Sequence, residues 1–139
     1  MKVELERVDQ DFHMLGLGST KTEVHIDASE KAGGQNLGAR PMELVLMALG
    51  SCSGIDVISI LKKQRQEIES FKITIEAERE QNKIPAVFKT IHLTFILGGN
   101  LVKEKVKRAI DLSMKKYCSV TSMLEQTVKI TYDFQIENS

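Results

Sequence analysis

The sequence predicts an α+β fold with the element order β-β-β-α-β-β-α-β, in which sheets wrap one long central helix. Three observations support this prediction. Short apolar runs separated by turn residues precede residue 27, an unbroken apolar segment follows Pro41, and alternating runs flank an amphipathic segment after residue 69. A chain of 139 residues with no repeat or linker is expected to form a single domain over residues 1–139.

The first three strands are predicted to form a meander. Residues 2–8 place Val3 and Leu5 on one face. Residues 12–17 and 20–26 are two further apolar-rich runs, and the Gly-Ser pair between them is a hairpin signal. The glycine-rich residues 28–39 predict a loop, and connections of this length are often functional.

A long helix is predicted from Pro41 to Lys63 or Gln64. Pro41 has a preset φ for a first helical turn, and Glu43 supplies the negative charge that a helix N-terminus favours. Residues 44–49 are all apolar, and a helix without a polar face must be buried on all sides. One chain of this size can hardly cover such a helix, so a homodimer with a shared core is expected.

Five small residues, Gly-Ser-Cys-Ser-Gly, lie in the middle of this helix, with Cys52 at their centre. A mid-helix glycine costs about 1 kcal/mol relative to alanine. We therefore expect another backbone to approach the side that carries Gly50 and Gly54.

The elements after the central helix follow strand and helix patterns in turn. Cys118 lies between an amphipathic helix and a short helical turn. The predicted elements are a half-buried strand at 69–81, a strand at 88–97, the amphipathic helix at 101–117, the turn at 119–124 and a closing strand at 128–136.

The composition excludes several classes of function. Nineteen acidic and nineteen basic residues give zero net charge, and the chain lacks a basic run or aromatic platform, so neither nucleic acid nor an anionic membrane is an expected partner. The charged N-terminus is not a signal peptide, and no unbroken apolar run approaches the roughly 18 residues of a membrane span. A cytoplasmic location is expected, where two cysteines are free thiols or a transient redox pair.

Cys52 and Cys118 are the candidate chemical pair. A thiol reacts as the thiolate, with an ordinary pKa near about 8.5 that cations or a helix N-terminus lower and apolar burial raises. Cys118 is positioned to cap the turn at 119–124, which would favour its thiolate. The alternative is that both cysteines are small core hydrophobes. Asp56 shares a helix face with Cys52, either as part of a polar edge or as a carboxylate that raises the pKa of the thiol.

Arg40 and Glu43 are weaker candidates for the site. Glu43 precedes Cys52 by nine residues, and nine steps of about 100° place it on the opposite side of an unbroken helix. Arg40 is a potential cation for a thiolate in the same or a partner subunit, and the alternative is a solvated loop arginine. His13, His25 and His92 lie on predicted strands, without the Cys/His spacing of a metal site.

Three segments together resemble the OsmC/Ohr family over nearly the whole chain. They are Pro41-Met-Glu-Leu, the run to Gly50-Ser-Cys52, and Lys115-Lys-Tyr-Cys118-Ser-Val-Thr-Ser-Met-Leu124. The form RPMELVLMALGSCSGIDVISIL looks like the YhfA-like branch. The resemblance implies a single OsmC-like domain, an intertwined homodimer with two active sites at its interface, and a role in the response to osmotic or oxidative stress.

The resemblance also implies an activity, the thiol-dependent reduction of organic hydroperoxides. On the family template, Cys52 attacks the peroxide and becomes a sulfenic acid, Cys118 resolves it as a disulfide, and a dithiol reductant restores both thiols. No metal or bound cofactor is required. The family glutamate that follows the helix-starting proline is replaced by Met42, and Glu43 lies one position later.

Two further positions depart from the family pattern. The family's activating arginine lies in the N-terminal strands and loops, and Ser119 replaces the proline that usually follows the second cysteine. The cations that this chain offers in the N-terminal region are Arg7, Arg40, Lys21 and Lys31.

Two other hypotheses remain open at this point. One is a non-peroxidase dimer that binds a small apolar or thiol-containing ligand in an interfacial pocket lined by Met42, Met47 and Met123. The other is a purely structural role, which would keep the two cysteines more than about 8 Å apart, because bridged Cα atoms lie within about 7 Å.

Overall fold

A computed structural model describes residues 1–137 of the chain. It divides into two compact units, the first ending at Met47 and the second beginning at Ala48. The elements are β1 (Glu4–Arg7), β2 (Met14–Leu17), β3 (Glu23–Ile26), α1 (Pro41–Lys63), β4 (Ser70–Arg79), β5 (Phe88–Gly98), α2 (Lys103–Leu112), a π-helical turn (Ser113–Tyr117), α3 (Ser119–Leu124) and β6 (Lys129–Glu137). This order confirms the predicted α+β class.

The first unit contains the predicted meander, with β1, β2 and β3 paired antiparallel in that order. Each strand has only four residues, fewer than the sequence pattern indicates. The exposed fraction of Leu5 is 61%, so the alternation of β1 does not produce a buried face within the chain.

The loop between β3 and α1 is closed around the carboxylate of Asp27, which is 2% exposed. One carboxylate oxygen accepts the backbone N–H of Ala28 at 2.7 Å, and the other accepts those of Gln35 and Leu37, each at 3.1 Å. Gly34 is required here, because an added Cβ would lie 2.0 Å from the carbonyl oxygen of Ala28. The loop therefore has a fixed conformation up to the beginning of α1.

Helix α1 has the predicted bounds, and within the single chain it is buried only in part, so its complete burial in a homodimer stays a prediction. Leu49, Val57 and Leu61 are fully buried, whereas Met47 is 54% and Ile55 is 67% exposed. As a whole helix, α1 is long and apolar enough to cross a membrane, with a mean hydropathy of 2.0 in its most apolar window, a third of which is buried. Core helices of soluble proteins meet the same criterion. Small and polar residues interrupt the apolar run of α1, so the sequence shows no unbroken apolar run of that length.

The two mid-helix glycines are explained by close side chains rather than by the expected close backbone. A Cβ at Gly50 would lie 2.6 Å from Cδ1 of Ile75, and one at Gly54 would lie 3.0 Å from Cδ1 of Ile73 and 3.2 Å from the ring of Phe71. All three neighbours belong to β4. The glycines therefore allow apolar side chains of the sheet to pack directly on the helix backbone.

The second unit is built on a three-stranded sheet with β5 at its centre. β4 pairs antiparallel and β6 parallel with β5. β4 has the predicted half-buried alternation. The fully buried side chains of this unit come mainly from β5 and α2, and include Leu93, Phe95, Leu97, Val106 and Ala109.

We expect Asp27→Asn to loosen the loop in a pH-dependent manner. Burial alone would raise the pKa of Asp27, but the N–H groups of Leu37, Gln35 and Ala28 outweigh it and hold that pKa below its ordinary value. Because the folded pKa is lowered, the stabilisation is present at neutral pH and is lost as the pH falls through the native pKa, below about 4.

Amide hydrogen exchange of Gln35 and Leu37 measures this effect. Exchange should be faster in the variant than in the wild type at pH 7, and the two should converge below pH 4. Asp11→Asn is the matched control, since Asp11 accepts a side-chain hydrogen bond from Gln35 at 2.7 Å but is exposed. Equal protection at pH 7 would contradict the assigned role of Asp27.

Candidate functional site

Cys118 lies at an irregular junction that the sequence pattern did not predict. The expected continuous helix at 101–117 is wrong, because α2 ends at Leu112 and the next five residues form a π-helical turn. The N–H of Cys118 donates to the carbonyl oxygen of Ser113 at 2.8 Å, which closes this wide turn. Such turns are rare and occur frequently at functional sites.

Cys118 is the N-cap of α3, as predicted. Its backbone is extended, and its Sγ accepts the N–H of Thr121 at 3.4 Å. The N-cap hydrogen bond favours the thiolate, as expected, but burial has the larger effect. Burial raises the pKa of Cys118, the hydrogen bonds from Thr121 only partly oppose this effect, and the neighbouring Cys52 raises the pKa further. Cys118 is therefore a protonated thiol at neutral pH.

Cys52 is half-buried in α1, and it lies close enough to Cys118 to raise the pKa of that buried thiol. Both residues are free cysteines. The fold of the second unit thus brings together two thiols that are distant in sequence. This proximity disfavours the structural hypothesis, in which packing keeps the two cysteines far apart.

Ser113 connects the turn before Cys118 to the helix that carries Cys52. Its hydroxyl lies 3.1 Å from the carbonyl oxygen of Ser53 and 3.1 Å from a carboxylate oxygen of Asp56. A hydroxyl has one proton to donate, so these two acceptors share it in a three-centre hydrogen bond. The carboxylate of Asp56, which the sequence placed on the face of Cys52, is thus bound by Ser113.

Ser113 and Thr121 lie beside the candidate cysteines, and sequence analysis did not predict this. Each is at most 1% exposed, and each makes its contacts through a hydroxyl inside the second unit. In the sequence they were ordinary small positions of a helix and of a helical turn. A buried polar side chain beside a candidate cysteine is a signal, but burial became known only with the fold.

Arg40 and Glu43 contact each other at the beginning of α1, in the first unit. The backbone N–H of Arg40 donates to Oε1 of Glu43 at 2.9 Å, and its guanidinium lies 3.7 Å from Oε2. The guanidinium also donates to the side chain of Asn36 at 3.3 Å. Glu43 therefore provides one half of a capping box, in which the third helical residue accepts the N-cap amide.

Arg7, another candidate cation, and the histidines have local partners. Arg7 donates to the backbone carbonyl oxygens of Gln10 and Asp11. His13, which precedes β2 rather than lying within it, shares a hydrogen bond of 2.9 Å with His25. His92 contacts the hydroxyl of Thr131 at 2.6 Å. Within residues 1–137, no three His, Cys, Asp or Glu side chains are grouped so that they could hold a metal ion.

Comparison with known proteins gives a consistent result. The family described as OsmC-like protein matches residues 33–133. Protein YhfA of Escherichia coli K12 is 47% identical over 97 residues, which cover 69% of this chain and 72% of YhfA. A solved hypothetical protein from Aquifex aeolicus is 34% identical, with a TM-score of 0.80 over 98% of this chain and 96% of its own. The organic hydroperoxide resistance protein OhrB of Bacillus subtilis is 19% identical, with a TM-score of 0.64 over 96% of each chain, and shares the fold.

We expect Ser113→Ala to destabilise the chain by about 1–2 kcal/mol, because it removes a fully buried hydrogen-bond donor and leaves two acceptors with one partner fewer. The free energy of unfolding in urea measures this loss. Ser122→Ala is the control, since Ser122 is exposed on α3. Equal stability of the two variants would show that the Ser113 hydroxyl does not connect the turn to α1.

Proposed function

Because the chain belongs to the OsmC-like family and is similar to its YhfA-like members, we propose that it is a thiol-dependent hydroperoxide reductase of the stress response. Its substrates are organic hydroperoxides, and Cys52 and Cys118 are its redox pair. Residues 1–139 act as one OsmC-like domain. The observation that carries the proposal is the proximity of the two thiols, since Cys52 on α1 neighbours the buried Cys118 and raises its pKa.

The different surroundings of the two thiols support their assigned roles. Cys118 is 3% exposed, and its raised pKa keeps it protonated at neutral pH. Cys52 is half-buried and is therefore the more accessible of the two. The first nucleophile must be an accessible thiolate, so Cys52 attacks the peroxide and Cys118 resolves the product.

The reaction proceeds in three balanced steps. The Cys52 thiolate attacks one peroxide oxygen, the O–O bond breaks, and the alcohol leaves with a proton as Cys52 becomes a sulfenic acid. Cys118 then attacks the sulfur of Cys52, so that an S–S bond forms, the S–O bond breaks and water leaves. A dithiol reductant finally exchanges with the disulfide and restores both thiols. These steps need no metal and no bound cofactor.

We propose that the site is completed in a homodimer. Several apolar side chains close in sequence to the cysteines are exposed in the single chain: Met47 at 54%, Ile55 at 67%, Tyr117 at 51% and Met123 at 75%. Exposed apolar side chains in such number are typical of interaction surfaces. The partner is a second copy of this chain rather than nucleic acid or a membrane. The protein acts in the cytoplasm, and α1 is a helix of the dimer core. A monomeric mass in solution would contradict this part of the proposal.

Arg40 and Glu43 enter the proposal as the charged pair that assists Cys52 of the same or the partner subunit. A guanidinium close to a thiolate stabilises the charged form, and Glu43 holds the guanidinium of Arg40 in position. This arrangement would take the place of the family glutamate, whose position is occupied here by Met42.

A second candidate function is a dimer that binds a small apolar or thiol-containing ligand without reducing peroxides. A Vibrio cholerae protein named as a putative organic hydroperoxide resistance protein holds captopril, a small thiol, in one of its active sites. In this chain, exposed Met47 and Met123 would provide an adaptable apolar lining together with Met42. Ligand-dependent melting without peroxide consumption would favour this function.

Substitution of each cysteine separates the two functions. Reduced wild type mixed with one equivalent of cumene hydroperoxide should lose two thiols per chain. Cys118→Ser should stop at a sulfenic acid that dimedone traps, and Cys52→Ser should lose reactivity by at least about 100-fold. Thiols of the wild type that survive for minutes would exclude a competent peroxidase.

Glu43→Gln tests the charged pair without removing the helix cap, because the glutamine oxygen still accepts the N–H of Arg40. We expect the rate of Cys52 oxidation to fall about tenfold in this variant and in Arg40→Gln, with little change in the free energy of unfolding. Lys31→Gln, an exposed loop cation, is the matched control. An unchanged oxidation rate would limit both residues to capping.

A further inference from the structure

Thr121 is the polar side chain placed against the sulfur of Cys118. Its backbone N–H donates to that sulfur at 3.4 Å, and its side chain helps to oppose the rise in pKa that burial imposes on the thiol. The hydroxyl of Thr121 donates to the thioether sulfur of Met114 at 3.8 Å. Thr121, Met114 and Cys118 are all 5% exposed or less, so this cluster is closed to solvent within the second unit.

The single proton of the Thr121 hydroxyl has two sulfur acceptors. A thioether and a neutral thiol are both weak acceptors, so while Cys118 is protonated the hydroxyl gains little by choosing one over the other. A thiolate is a charged acceptor, and hydrogen bonds to charged acceptors are roughly twice as strong as neutral ones. A thiolate at Cys118 would therefore draw the hydroxyl away from Met114.

We propose that Thr121 is the residue that prepares Cys118 for disulfide formation, by donating its backbone N–H and its hydroxyl together to the sulfur as the thiolate forms. Met114 serves as the resting acceptor of the hydroxyl. This inference rests on the proposed function in naming the step that it assists, but the ionisation of Cys118 that it concerns can be measured without any peroxide chemistry.

The step needs such a donor because the surroundings of Cys118 oppose its charge. Burial raises the pKa of Cys118, and the titratable group that faces it, Cys52 on α1, raises that pKa further when it is charged. Once Cys52 is a neutral sulfenic acid, its contribution disappears and burial remains. Cys118 then loses its proton to the hydroxide that leaves the sulfur of Cys52, water is released, and the S–S bond forms.

The charge on Cys118 can be measured without any substrate in a Cys52→Ser background. Cys118 is then the sole cysteine, and its ionisation follows from absorbance at 240 nm, corrected with the Cys52→Ser/Cys118→Ser protein at the same pH. Adding Thr121→Val, which keeps the volume but removes the hydroxyl, should raise the apparent pKa, so that the thiolate fraction at pH 8 falls about 3- to 10-fold.

Two control variants accompany this measurement. Thr121→Ser retains the hydroxyl and should titrate like the Cys52→Ser parent. Thr127→Val changes an exposed threonine beyond α3 and should also leave the titration unchanged. Superimposable titrations of the Thr121→Val and Thr121→Ser proteins would overturn the proposal. An equal shift of the apparent pKa of Cys118 in all three variants, relative to the Cys52→Ser parent, would overturn it as well.

A single-turnover experiment with both cysteines present tests the role in the reaction. After one equivalent of cumene hydroperoxide, Thr121→Val should form the Cys52 sulfenic acid at the wild-type rate but close the disulfide about 3- to 10-fold more slowly, with a pH profile displaced upward. Equal closure rates would overturn the assigned step. If no variant forms a sulfenic acid, the proposed function fails, whereas the titration still decides whether Thr121 donates to Cys118.

Discussion

The candidate site depends on the hydrogen bond that the hydroxyl of Ser113, in the π-helical turn, donates to the backbone of α1. The hydroxyl of Ser113 lies 3.1 Å from the carbonyl oxygen of Ser53, one residue beyond Cys52. The carbonyl oxygen of Ser113 accepts the N–H of Cys118. One serine is thus joined to the backbone next to each thiol, and because it is fully buried, water cannot replace either bond.

The small residues in the middle of α1 make this arrangement possible. Gly50 and Gly54 let the side chains of β4 pack on the helix backbone, and Ser53 is fully buried with its hydroxyl bonded to the carbonyl oxygen of Leu49 at 2.9 Å. Larger residues would push the sheet away from this part of the helix. The glycines thus cost helix propensity but allow close packing of β4 on the helix that carries Cys52.

Much of the fold, and less of the site, could be predicted from the sequence. The bounds of α1 and α3 and the alternation of β4 were correct, because capping residues and apolar periodicity are local signals. The π-helical turn was missed because a helix with five-residue hydrogen bonds has nearly the same apolar pattern as an α-helix over one turn. The roles of Ser113 and Thr121 could not be predicted, since they depend on which sulfur or carbonyl the fold brings to each hydroxyl.

The beginning of α1 shows how one position in the sequence changes the available chemistry. Glu43 is the third helical residue, where a carboxylate reaches back to the N-cap amide, and it accepts that bond from Arg40 at 2.9 Å. The preceding residue, Met42, has no charge and leaves the helix end without a second carboxylate at that turn. A glutamate at position 42 would point about 100° away from that of Glu43 and could not make the same cap. The sequence therefore favours a well-capped helix at this position, because Glu43 accepts the N-cap amide and also lies 3.7 Å from the guanidinium of Arg40.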